Sequence, residues 1–274
     1  LRSNELQLAA VPPEWLANES PNIQVFSLPF LFENAGAIRS FAMSEVASQI
    51  FSELEGSKLV GFTYWPVARK VVFSRAPIES AASFDGLRAA VPKADYRGEI
   101  YEMLGASPQS FPGEAIYSAL QKGVIDAIET SPEFAIRENL SEATPYASTF
   151  GYSSSGLVVV ASGGFWESLQ EDDKEAFVYA LSAATNYLFN ILEVNSEDQM
   201  SKLSNAGFSV MNASEPAFNK FRNTLLPEWS SKGIASSIVS AAAGSRGGGD
   251  YCSLGECRCL NRACNSACCP EAVE

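Results

Sequence analysis

Apolar positions along the chain switch between two spacings. Residues 6–11 form a short apolar run stopped by Pro12-Pro13, where backbone donors vanish, and read as a strand. Residues 23–32 are apolar almost throughout and read as a second strand. Over residues 35–54, Ile38, Phe41, Val46, Ile50 and Leu54 fall at helical spacing and Gly56 follows, which predicts one amphipathic helix closed by glycine. Residues 58–65 and 69–73 predict two further strands, and residues 77–85 a connector. Residues 86–91 predict a strand on which Arg88 and Ala90 share one face, and residues 96–104 a helix.

A linker rich in Pro and Ser then leads from Gly105 to a compact helix that ends at Gly123. The strand Val124-Ile125-Asp126-Ala127 follows and ends on Glu129-Thr130-Ser131-Pro132, with helix continuing over 131–139. Residues 156–161 are continuously apolar, as in a strand buried on both faces. Residues 165–169 predict a short helix. Residues 172–203 are the longest periodic segment, about 50 Å if unbroken and so long enough to bridge two lobes. A strand over 207–211 and helices over 215–229 and 235–243 complete the order. Strands alternating with helices argue for an α/β fold with mainly parallel sheets.

Composition narrows the function. Hydrophobic residues make up 46% and aromatic residues 11%, enough for a sizeable core. No apolar run reaches the length of a membrane span. Residues 1–16 carry none of the three regions of a signal peptide. The net charge of −13 opposes a nucleic-acid partner, since phosphate binding needs a basic face. Histidine is absent, which removes the commonest general base, the Ser-His and Cys-His nucleophile pairs and the commonest metal ligand. The six cysteines all lie between residues 252 and 269, so nothing before them offers a thiol. No catalytic motif is visible, and an enzyme is not expected.

Residues 105–134 concentrate the candidate chemistry. Side chains at the carboxyl ends of strands face the crevice in open α/β sheets, which makes Glu129 and Thr130 candidate ligand contacts. Asp126 and Glu129 could also hold a cation that bridges the ligand, or Asp126 could satisfy backbone donors at the strand end. Glu114 and Tyr117 stand one helical turn apart. Glu114 fits a helix start, and Tyr117 fits either core packing or ligand contact. Tyr64, Trp65 and Tyr152 are candidate pocket walls, and Trp166 fits core packing at a helix start.

The order of these pieces resembles the extracytoplasmic solute receptors of tripartite ATP-independent periplasmic (TRAP) transporters, the DctP-like family. The resemblance is carried by Leu28-Pro29-Phe30-Leu31-Phe32, residues 69–78, Asp85-Gly86-Leu87, Gly105-Ala106-Ser107-Pro108 and residues 166–169. Its most specific piece is the run E-x-x-Y-x-A-L-Q-x-G-x-x-D from Glu114 to Asp126. It covers about residues 4–243. It implies a two-lobed α/β binding protein with discontinuous lobes, here 1–67 with 155–194 and 68–154 with 195–243, and a long helix spanning both. It implies a periplasmic receptor that takes a small organic anion and hands it to membrane permease subunits, with no cofactor. Arg69 matches a family arginine and becomes a candidate anion anchor; an interstrand ion pair is the alternative.

Departures from the family pattern alter these expectations. The resemblance places further strands and helices before the part that matches Leu6, so a first lobe made from this chain alone is expected to be short of strands. The family's carboxylate-gripping arginine falls at Ala90 in Gly86-Leu87-Arg88-Ala89-Ala90-Val91-Pro92. Alanine cannot form the bidentate pair, and Arg88 lies about 7 Å away along the strand, a candidate ligand contact not assumed to substitute. Simple dicarboxylates are therefore expected to bind poorly. Thr130 stands where one branch carries an aromatic residue, which suggests a wider or wetter pocket. Residues 244–274 are unlike the family: a glycine-rich linker leads to Cys252, Cys257, Cys259, Cys264, Cys268 and Cys269, in a spacing that matches no standard zinc site. A disulfide knot or foreign sequence outside the fold are the two readings. A non-transporting binding or sensory protein of the same fold, and an inactive gene fragment, are the alternative functions.

Overall fold

The structure, a computed structural model, describes residues 1–91, 97–212, 215–231 and 233–245. In chain order its elements are β1 (Leu8–Val11), α1 (Ala35–Ala42), α2 (Glu45–Ser52), β2 (Leu59–Ser74), β3 (Arg88–Val91), α3 (Arg97–Met103) and β4 (Ser107–Ser110). They continue as α4 (Ile116–Gln121), β5 (Ala127–Thr130), α5 (Pro132–Arg137), β6 (Tyr146–Ser162), α6 (Gly163–Ser168), α7 (Glu171–Asn205), β7 (Ser209–Asn212), α8 (Glu215–Ser231) and α9 (Ser236–Gly244).

The strands form one seven-stranded sheet in the order β1-β6-β2-β5-β3-β4, with β7 also on β6. Its axis is the antiparallel pair β2–β6, which runs from Leu59 opposite Ser162 to Ser74 opposite Tyr146. The sheet is mixed rather than mainly parallel. β3 pairs β4 and β5 in parallel and β6 pairs β7 in parallel, but β1–β6, β2–β5 and the long β2–β6 ladder are antiparallel. The alternation of strand and helix holds locally; the return of one long strand on another replaces a crossover helix at the centre.

Four further expectations are corrected. Residues 69–73 are not a separate strand: β2 passes through Pro66 because the register shifts between Pro66 and Ala68, and a bulge is where a residue without an N–H is tolerated. Residues 23–32 are not a strand. Pro21–Ser27 is a 3-10 helix with proline in its first turn, and Ile23 and Val25 are fully buried, so the run is buried without a strand's alternation. The helix over 35–54 is two helices. Ser44 ends α1 by donating to Phe41 O at 2.7 Å, and caps α2 by accepting from Ala47 N at 3.2 Å. The Pro/Ser linker after Gly105 contains β4, held in parallel register on β3 from Ser107 opposite Arg88 to Ser110 opposite Val91.

The sheet is covered on both faces at each end. On one face of β2 and β6, Tyr64, Val158 and Val160 pack with Phe26 and Phe51. On the other, Phe62, Val159 and Ala161 pack with Leu181 of α7. Toward β5, Val71 and Phe73 join Ala90, Ile128, Leu120, Ala135, Leu203 and Phe208 in a second cluster, while Val72, Ala89 and Ala127 face the first cluster. The change of face between neighbouring residues is the period of two. Helix α7 supplies Leu181, Phe189 and Leu203 to three different clusters, so it runs past both ends of the sheet. Arg39 of α1 ties to it through Asn190 at 2.8 Å and Asn186 at 3.2 Å.

Candidate functional site

Strand β5 lies between β2 and β3, antiparallel to one and parallel to the other. Its carboxyl end stops at Thr130 because Ser131 accepts from Phe134 N at 3.2 Å and starts α5 with Pro132 in the first turn. The register separates the two candidates at this end. Glu129 stands opposite Val72 and Thr130 opposite Val71. Residues directly opposite share a face, so Glu129 lies with Val72, Ala89 and Ala127, and Thr130 lies with Val71 and Ile128 on the reverse.

Glu129 has both carboxylate oxygens shielded from solvent with no hydrogen-bond partner among the described residues. Val72 also stands opposite Ser148 of β6, on the side away from β5. Ser148 is 1% exposed and its hydroxyl is likewise unpartnered among the described residues. The row Glu129, Val72, Ser148 thus places two shielded polar groups on one sheet face with an apolar floor between them. Such groups are costly to leave unmade. Sequence reasoning missed Ser148. It sits in the polar pair Ser148-Thr149 of a long strand, and Thr149 hydrogen-bonds Asn212 at 2.6 Å, so sequence alone could not tell which of the two is satisfied.

The other candidates are engaged elsewhere. Arg88 grips Asp126 bidentately, Nε to Oδ2 at 2.8 Å and Nη2 to Oδ1 at 2.7 Å, and its amide also donates to Oδ2 at 3.1 Å. The Arg88 guanidinium holds the Asp126 carboxyl below the usual carboxylate range, and Asp126 in turn raises Arg88. Asp126 also takes the Arg88 carbonyl through its own amide at 2.7 Å. Among the described residues no group of three His, Cys, Asp or Glu is arranged to hold a metal. The Tyr117 ring packs on the second cluster and its hydroxyl donates to Glu142 Oε2 at 2.9 Å, a hydrogen bond that raises its pKa. Trp65 donates from Nε1 to Thr185 Oγ1 at 2.9 Å and packs against α7. Arg69 is half-buried on β2, opposite Ser154, between two register shifts of the ladder.

Tyr64 is fully buried and stacked on Phe26 with ring centroids 4.7 Å apart. Trp166 lies edge-on to Phe62 at 5.0 Å. Glu114 is exposed in the 3-10 turn Gly113–Ala115. Ala90 is 6% exposed and belongs to the second cluster, on the face of Ile128. The side chain of Tyr152 and the cysteines between 252 and 269 lie outside the described residues.

Residues 1–234 match the family model of the bacterial extracellular solute-binding proteins, family 7. The C4-dicarboxylate-binding periplasmic protein of Rhodobacter capsulatus is 25% identical over 186 residues, 68% of this chain and 56% of its own length. The ectoine-binding periplasmic protein of Halomonas elongata is 26% identical over 211 residues, 75% of this chain and 61% of its own length. This chain therefore spans less than two thirds of either relative. The solved structure of a TRAP periplasmic solute-binding protein from Ochrobactrum anthropi superposes with a TM-score of 0.81 at 18% identity, covering 88% of this chain and 76% of that one. That likeness establishes the two-lobed α/β fold.

Proposed function

We propose that this chain, which belongs to the bacterial extracellular solute-binding protein family 7, is the solute receptor of a TRAP-type transporter. It binds a small organic acid or related solute in the periplasm and presents it to membrane permease subunits. The observation that carries this reading is the fold: one sheet whose long strands β2 and β6 run side by side from Leu59 and Ser162 to Ser74 and Tyr146, with α7 packed by Leu181 near one end of the pair and by Leu203 near the other.

In this reading residues 1–67 with 155–194 form one lobe, and residues 68–154 with 195–243 the other. The two strands that cross between them act as the hinge, and their register shifts supply the bends. The solute sits at the crossover, beside the carboxyl end of β5. Glu129, Thr130 and Arg69 are the proposed contacts. Arg88, Tyr117 and Trp65 act on the scaffold through Asp126, Glu142 and Thr185. A thermal-shift screen of the protein against small organic acids tests this. A dose-dependent rise in Tm with at least one acid is expected, because a ligand that binds only the folded state stabilises it. A panel of C4 acids, sugar acids and zwitterionic acids that leaves Tm unmoved overturns it.

A further inference from the structure

We infer that Glu129 and Ser148 set the solute class: an organic acid that also carries a hydrogen-bond donor, a hydroxyl or a protonated nitrogen, aimed at the Glu129 carboxylate. This rests on the receptor reading and narrows it.

Both Glu129 oxygens are shielded and unpartnered among the described residues. Arg88 is spent on Asp126, and Arg75, through Nη1, on Leu120 O at 2.6 Å, while Arg69 and Lys70 on β2 have interactions of their own. The neighbouring Ser131 hydroxyl accepts the Phe134 amide. No metal cluster among the described residues offers a cation. A donor brought by the solute is the partner that remains. Glu129 is the penultimate residue of β5, at the strand end where solutes bind in open α/β sheets.

Ser148 gives the site a second point. Two strand spacings separate it from Glu129, about 9.5 Å between backbones, with Val72 as the floor. A molecule the size of an amino acid or a monosaccharide spans that distance and can meet both groups. A bare dicarboxylate presents only acceptors to Glu129 and is repelled by it. A site that buries an unpaired acceptor discriminates strongly against a ligand lacking the matching donor.

The test is calorimetric titration of the wild type and Glu129→Gln with succinate, which has no donor, D-galacturonate, which has hydroxyls, and ectoine, which has protonated nitrogen. The wild type is expected to bind galacturonate or ectoine at least about tenfold more tightly than succinate, and the tighter of the two assigns the donor. Glu129→Gln should weaken that probe by about 10- to 100-fold, the worth of a charge-assisted hydrogen bond, without weakening succinate. Relief of the unpartnered carboxylate should also raise the ligand-free Tm of the variant by about 2–4 °C. Succinate binding as tightly as the others, or a lowered ligand-free Tm in Glu129→Gln, overturns the inference while leaving the receptor reading intact. Failure of every probe overturns both. If Glu129→Gln does not fold, Ser148→Ala carries the test, with a loss of about threefold or more expected for the donor-bearing probe and none for succinate.

Discussion

Gly156 is the position where a single methyl group should damage the fold most. It lies on β6 opposite Pro66, beside the register shift where β2 and β6 cross between the two ends of the sheet. A Cβ built there would come within 2.1 Å of both Cζ and Oη of Tyr64 and 2.4 Å of Cε2. Carbon atoms pack at about 3.5–4.0 Å, so the ring would have to retreat by about 1.5 Å. It has nowhere to go: Tyr64 is stacked on Phe26 at 4.7 Å, and Phe26 is stacked in turn on Phe51 at 5.5 Å. Overpacking of this kind costs about 3 kcal/mol, the upper part of its usual range. For a chain of this size that is a fall of about 6–12 °C in Tm. Gly164→Ala is the control, because its added Cβ meets nothing closer than 3.8 Å. Urea melts of Gly156→Ala in the wild type and in a Tyr64→Leu background separate the clash from other effects. The cost should shrink to below about 1 kcal/mol when the ring is gone, since the coupling resides in that pair. A Gly156→Ala protein that melts within 1 °C of wild type (about the error of the measurement) would refute the packing account of this crossover.

Two further substitutions test local features. Ser44→Ala removes the hydroxyl that closes α1 and caps α2, and should lower stability by about 1 kcal/mol in a urea melt, whereas no measurable change would mean that the helix break is held by packing alone. The Asp126 carboxyl is held down by Arg88, so its stabilising contribution is full above the unfolded carboxylate value near about 3.9 and fades as pH falls through the folded value. Asp126→Asn should therefore melt below wild type at pH 6, with the gap narrowing as pH is taken below about 3.9; a gap that stays constant down to the acid limit of the fold would show that the pair does not titrate as described.

The elements built from local pattern were legible in sequence. The periodic run near 172–203 is α7, and the apolar run 156–161 is the end of β6. What escaped depends on contacts between distant residues. Pro66 looked like a strand end because nothing local reveals a bulge partner on β6. Pro108 hid β4, whose pairing comes from β3. The apolar run at 23–32 carries no period, so the burial that makes it a 3-10 turn could not be read from it. At the site, the strand-end position of Glu129 was legible, but its opposite facing from Thr130 required the register with β2. Arg88 looked available until Asp126, 38 residues on, took it in a bidentate pair. Ser148 gave no signal because a buried serine is ordinary unless its hydroxyl lacks a partner.

The account's central claim is that the solute sits at the carboxyl end of β5 and satisfies Glu129. The most direct measurement is a crystal structure of the protein with the tightest-binding acid from the titrations. The account predicts a hydroxyl or protonated nitrogen of that acid within about 3.2 Å of a Glu129 oxygen. An acid seated elsewhere, or one that meets Glu129 with no donor, would contradict it.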